Sequence, residues 1–204
     1  PIFDISKLDI TKPVDKLIAK MYEKISKPIT ELNGIYAIKS SPQAELIRNF
    51  DSISFGWSRL QYDEKKDKIE LVLNGEDFYL PDEFQKPFNM AKDNDVSANL
   101  MVYASEFERD ENGVGLISKI TFNDDVREEV IDSIVQKVKY IKKGRQKFRF
   151  DGVVIDFEDL KDENLKEGYN QFLKELKSKL EKYDKKLYVM VQPQIGRASC
   201  RERV

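Results

Sequence analysis

Short runs of β-branched and aromatic residues alternate with stretches of helical period along most of this chain. That alternation constrains the fold more than any single motif does. Residues 34–38, 52–57, 98–103, 150–157 and 187–191 read as strands, bounded by Gly, Pro, Ser or Asp. Between them, Ser41-Pro42 opens a helix running to Phe50, and residues 81–95 read as a polar, partly helical excursion. A helix over residues 124–143 carries Val126, Val130, Ile131, Ile134, Val138 and Ile141 on one stripe, with Gly144 to terminate it. A further helix over 164–182 buries Leu165, Tyr169, Phe172, Leu173, Leu176 and Leu180. Asn74-Gly75, between residues 68–73 and 78–80, is a hairpin signal.

Strands alternating with helices imply βαβ units and a parallel sheet. The fold class is therefore α/β, either part of a (β/α)8 TIM barrel, roughly its strands 1–5, or a doubly wound open sheet. No Gly-rich phosphate turn follows any strand, which disfavours the open nucleotide-binding sheet. Polar and aromatic residues instead gather at strand C-terminal ends, where barrels keep their active sites: Trp57, Tyr103, Ser105, Asp156, Glu158 and Gln192.

The chain of 204 residues has no His, so a Ser-His-Asp triad, a Cys-His pair and a His-ligated zinc are all excluded within it. Acid–base work near neutral pH falls to Asp, Glu, Lys, Tyr or water. With 35 Lys+Arg against 37 Asp+Glu, the net charge of −2 argues against a nucleic-acid partner, although Lys142-Lys143-Gly144-Arg145 is locally basic. Apolar runs such as 152–155 fall far short of the ~20 residues of a membrane span.

Three segments are expected. Residues 1–32 form an N-terminal helical linker or the end of a preceding module, with Val14, Leu17, Ile18, Met21 and Ile25 on one stripe of a helix over 11–25. Residues 33–194 form the barrel part. Residues 195–204, which include the only Cys, break from the Lys- and Ile-rich style before them and read as a non-native, adapter-like tail.

The informative stretch is Phe150-Asp151-Gly152-Val153-Val154-Ile155-Asp156-Phe157-Glu158. Its apolar residues make it a buried strand, yet three carboxylates sit among them. Residues two apart on a strand share a face, so Asp156 and Glu158 point the same way, above Val154, while Asp151 faces opposite. Two neighbouring carboxylates repel, so one of them should hold its proton to higher pH. A protonated acid beside an ionised one suits glycoside cleavage. The plainer alternative is that the strand ends here and Glu158-Asp159 are solvated loop and cap residues.

Asp151-Gly152-x-x-x-Asp156-x-Glu158 on an aliphatic strand resembles the signature of family 18 glycoside hydrolases. Asn33-Gly34-Ile35-Tyr36 resembles the family's first strand, residues 50–55 the second strand of its spore-cortex branch, and residues 186–193 the fifth. The resemblance covers about residues 33–194. It implies retaining, substrate-assisted hydrolysis of β-linked N-acetylglucosamine polymers, peptidoglycan or spore cortex or alternatively chitin, with no cofactor or metal. Glu158 would be the acid on the glycosidic oxygen, Asp156 would orient the substrate's 2-acetamido group, and Asp151 would be a supporting residue. Tyr36, Trp57, Tyr103 and Gln192 are the candidate substrate-binding residues. The family's third acid is replaced here by Val154, which cannot share a proton with Asp156. The strands bearing the family's remaining sugar-site aromatics would lie beyond Gln194, so the fragment itself is expected to be inactive. A secreted, cell-wall or spore-associated location follows from the substrate. Two competing readings remain: an inert, lectin-like glycan binder, and a divalent-cation site built from Asp151, Asp156, Glu158 and Asp159. Asp159→Asn is expected to be nearly silent.

Overall fold

In a computed structural model, residues 31–191 are described; the helix expected over 11–25, Gln192 and the 195–204 tail lie outside them. The chain divides into two compact units, residues 1–32 and 33–204, and the elements below belong to the second. Five strands form a parallel sheet in the order β1 (Asn33–Tyr36), β2 (Ser52–Asp63), β4 (Ser97–Ser105), β7 (Gly152–Glu158) and β8 (Lys186–Val189). The sheet curls into half a barrel, which is the α/β architecture expected for part of a (β/α)8 fold. β3 (Lys68–Val72) runs antiparallel to the far half of β2. The helices are α1 (Gln85–Asp93), α2 (Leu116–Phe122), α3 (Asp124–Lys139) and α4 (Leu165–Glu181).

Each strand divides its residues between two environments. On β7, Val153, Ile155 and Phe157 are buried against helices, and the Phe157 ring stacks on Phe172 of α4 at 5.3 Å. Under β2, Phe55, Trp57, Phe84, Phe88, Phe148 and Phe150 form an aromatic cluster, with Phe84 and Phe148 edge to face at 4.2 Å. The core thus sits on the outer face of the curl. The inner face carries Ser54, Asn99, Met101, Tyr103, Val154, Asp156 and Glu158, in register across neighbouring strands.

α3 starts where its chemistry dictates. The Asn123 side chain accepts from the Val126 N–H at 3.1 Å, Asp124 and Asp125 lie in the first turn, and Lys137 and Lys139 lie in the last. Arg127, buried, ties α3 to α4 through Glu175 at 3.0 Å.

Several expectations need correction. The segment after β1 is a run of 3₁₀ turns from Ile38 to Asn49 rather than a helix opening at Ser41; Pro42 inside it lacks a donor, and Ser40 and Ser41 are weak helix formers. Asn74-Gly75 does turn the chain back as expected, with Asn74 bridged antiparallel to Tyr79, Gly75 N–H donating to Phe78 C=O at 3.1 Å and Leu80 N–H to Leu73 C=O at 2.8 Å, but residues 68–72 take β2 as their ladder partner. The helix expected to reach 143 stops at Lys139. β5 (Ile141–Lys143) and β6 (Gln146–Phe148) follow as a two-stranded antiparallel ribbon turned by Gly144 at φ 62°. α2 was not expected at all. Its first turn is held by Glu106, whose carboxylate accepts from the Ser118 N–H at 2.9 Å.

Gly152 has a steric reason to be glycine. A Cβ there would stand 2.6 Å from the Lys186 carbonyl oxygen and 2.8 Å from Asn99 Oδ1. One of these is sheet backbone and cannot step aside. Gly152→Ala is expected to lose about 1–3 kcal/mol of stability, the usual cost of overpacking. Urea unfolding of the two proteins checks this, and an unchanged midpoint refutes it.

Candidate functional site

The expected pair is brought together at the C-terminal end of the fourth parallel strand. Asp156 lies beside Tyr103 in register, and Glu158 beside Ser105, all on the inner face. Val154 lies below them, between Met101 and Tyr188. Burial, and after it the charge of Glu158, pushes the Asp156 carboxyl above the usual carboxylate range. Tyr103 is also pushed up, first by burial and then by the Glu158 charge. Its hydroxyl reaches Glu158 Oε2 at 3.4 Å, a long contact.

Tyr103 is held from the side. Its ring stacks on Phe78 at 4.5 Å and 12°, and the Arg59 guanidinium lies 5.6 Å from the ring centroid while pairing with Glu108. The strand ends are laced together. The Glu106 N–H donates to the Glu158 carbonyl at 3.2 Å, and Ser105 Oγ donates to Asp159 Oδ2 at 2.8 Å. Asp159 takes a left-handed backbone with φ 65° and is half-buried. Asn tolerates that backbone and also accepts from Ser105. The Phe107 N–H donates to Ser105 Oγ at 3.2 Å, which leaves the Phe107 ring 63% exposed at the rim, with Lys161 Nζ 5.2 Å away.

Asp151 sits at the other end of β7, about 16 Å along the strand from Asp156. Its Oδ2 accepts from the Ala98 N–H at 2.8 Å and Lys92 Nζ at 2.5 Å, joining β7, β4 and α1. It therefore cannot join Asp156 and Glu158 around one cation.

Two candidate sugar platforms move elsewhere. Trp57 is fully buried on the outer face, stacked on Phe55 at 4.2 Å, and Tyr36 packs against both rings. Both belong to the core. Arg59, Phe78, Ser105 and Phe107 were missed or not pursued as site residues. Concavities between α3 and α4, lined by Arg127, Glu175 and Lys179, and beside Tyr62 and Glu70, hold ion-paired surface chains remote from the carboxylates.

The same curled sheet recurs in solved chitinases. The chain superposes on the class V chitinase from Nicotiana tobaccum with a TM-score of 0.56 at 14% identity, over 82% of this chain and 47% of that one. For the chitinase from Chromobacterium violaceum the TM-score is 0.55 at 15% identity, over 78% and 45%. For the GH18 chitinase from Cycas revoluta in complex with (GlcNAc)3 it is 0.53 at 12%, over 79% and 46%. The chain has the fold of part of the barrel seen in these chitinases. It spans less than half the length of these solved chitinases. No family model and no curated protein sequence matches it.

The raised proton affinity of Asp156 has a measurable consequence. A carboxyl whose folded pKa is raised contributes stability while protonated, and that contribution is lost as pH rises through the raised pKa. Ionised Asp156 is therefore a cost to the fold at neutral pH. Asp156→Asn is expected to raise the Tm at pH 7, with the gap closing below about pH 4, where both folded and unfolded carboxyls are protonated. Melting curves across pH 3–8 test it; a gap that widens on acidification refutes the assignment.

Proposed function

We propose that this chain carries the acid-bearing part of a hydrolase site for β-linked N-acetylglucosamine glycans. The observation that supports it is the Asp156–Glu158 pair, side by side on the inner face of the fourth strand, with Asp156 pushed up in pKa. Glu158 protonates the glycosidic oxygen, and the substrate's own 2-acetamido carbonyl attacks the anomeric carbon as a neighbouring group. An acetamide N–H donating to Asp156 favours that carboxyl's ionised form. Tyr103 positions Glu158, and the exposed Phe107 ring offers a sugar an apolar face at the rim.

The favoured substrate is peptidoglycan or spore cortex, acted on outside the cell or in its wall, with chitin-type oligosaccharides as the alternative. The motif on residues 50–55 supports the first choice. Catalysis is assigned to the barrel completed by further βα units, since this chain matches less than half of each chitinase. A lectin-like reading has one observation in its favour: Val154, directly below Asp156 on the inner face, has no proton to share.

The test is release of reducing ends from peptidoglycan fragments and chitooligosaccharides by the protein carrying the remaining strands. Glu158→Gln is expected to lower the rate about 10²–10⁴-fold, the usual worth of a general acid, while glycan binding persists. Equal rates for parent and variant, or a parent that binds without cleaving, would establish the lectin-like reading instead. Asp159→Asn, which keeps the Ser105 contact, is expected to retain the parent rate within a few-fold.

A further inference from the structure

The ribbon β5–β6 is the most one-sidedly charged part of the molecule. Between residues 137 and 150 the chain has Lys137, Lys139, Lys142, Lys143, Arg145, Lys147 and Arg149, and no Asp or Glu. This segment belongs to a protein whose net charge is −2. Ile141 and Phe148 are paired and buried, with the Phe148 ring edge-on to Phe84 at 4.2 Å and Phe88 at 5.5 Å. Lys143 is paired with Asp82 at 3.0 Å. Lys142, Arg145, Lys147 and Arg149 are all exposed, and none has a carboxylate within ion-pairing distance among the described residues.

Folding alone does not account for this pattern. Lys142 and Lys147 are direct cross-strand partners, and like charges in that position destabilise a ribbon. A carboxylate at either position would relieve the repulsion without touching the buried pair. The ribbon precedes β7 and so lies at the N-terminal end of that strand, about 20 Å from Glu158. Whatever it binds does not compete for the carboxylate face.

We propose that β5–β6 is a docking surface for a flexible linear polyanion bearing phosphodiester groups, holding the protein on its substrate matrix away from the cleavage site. The naming of a matrix rests on the cell-wall reading above; the binding chemistry does not. Two arginines present planar forks that match phosphate oxygens, and the lysines add point charges at a spacing of about 5–7 Å across and along the ribbon. A membrane is a poorer fit, because the exposed ribbon positions carry no large apolar side chain to insert; Tyr140 beside it is engaged by Lys147 at 5.5 Å. A rigid duplex would meet only this narrow basic strip of a protein whose net charge is −2.

The test titrates the full chain with long-chain inorganic polyphosphate at low and at about 0.15 M ionic strength. Binding is expected to weaken linearly in log affinity against log salt. The triple variant Lys142→Glu/Arg145→Glu/Lys147→Glu is expected to bind at least tenfold more weakly, with a slope smaller by about two, at about 0.7 per lost contact for a single-stranded polyanion. A control with the same charge change on α4 and its C-cap, Lys174→Glu/Lys177→Glu/Lys182→Glu, should keep both affinity and slope. Lys147→Gln guards against unfolding: it should bind more weakly while its Tm rises, because the cross-strand repulsion is gone. No binding at either ionic strength, or equal losses in the control, overturns the docking surface. Phosphatidylglycerol vesicles or duplex DNA bound as tightly as polyphosphate, and lost in the same triple variant, overturn the assignment of partner. The assay reads no turnover, so Glu158→Gln should bind polyphosphate like the parent even if the hydrolase reading fails.

Discussion

Strand β7 must be apolar toward the helices and ionisable toward the inside of the curl, and the rest of the structure serves that division. Val153, Ile155 and Phe157 are buried against the outer layer, which fixes the register of the strand against β4 and β8. A slip of one residue would carry Asp156 and Glu158 into the aromatic core beside Phe172, where two carboxylates without partners would cost several kcal/mol. Burial of the outer face thus determines where the acids stand. At the other end of the strand Asp151 reinforces the same register by accepting from the Ala98 N–H, and Gly152 lets β8 approach closely enough to pair. The residues of the Asp-Gly-x-x-x-Asp-x-Glu pattern therefore do different physical work at the two ends of one strand.

What was legible in the sequence was whatever depends on local periodicity. The five parallel strands, α3, α4 and the shared face of Asp156 and Glu158 all follow from counting residues along one element. What was not legible depends on partners distant in sequence. α2 is held at its start by Glu106, twelve positions before Ser118, and Gly115 is required there because a Cβ would overlap that carboxylate. Gly144 with a positive φ serves a helix C-cap or a two-residue ribbon turn equally well, and only the pairing of Ile141 with Phe148 decides between them.

β2 shows the same limit at the site. Read as a strand ending at Trp57, it appeared to place that ring at the mouth of the barrel. The strand in fact continues to Asp63, and its pairing with β4 shifts between Phe55 and Ser58. Trp57 falls before the shift takes effect and stays with Phe55 on the outer face. Past it, the alternation is inverted, and Arg59 arrives beside Tyr103 on the inner face. An extra residue in one strand, invisible to a period of two, removed one expected aromatic from the site and delivered an unexpected cation to it.

The two ends of the half-barrel are also electrostatic opposites. At the C-terminal end, burial and after it the charge of Glu158 make Asp156 resist ionisation, and Arg59 is committed to Glu108. At the N-terminal end, lysines face one another across β5–β6 without an intervening acid. Screening confines each field to about 8 Å at physiological salt, well below the ~20 Å that separates them along β7, so neither cluster relieves the strain in the other. Each must be tolerated on the strength of its own apolar anchor: Phe157 on Phe172 beneath the acids, and Phe148 on Phe84 beneath the lysines. If the two proposals hold, one end of the sheet grips a polyanion and the other protonates a neutral glycan, and the charge of opposite sign that each task needs is anchored by its own buried aromatic pair.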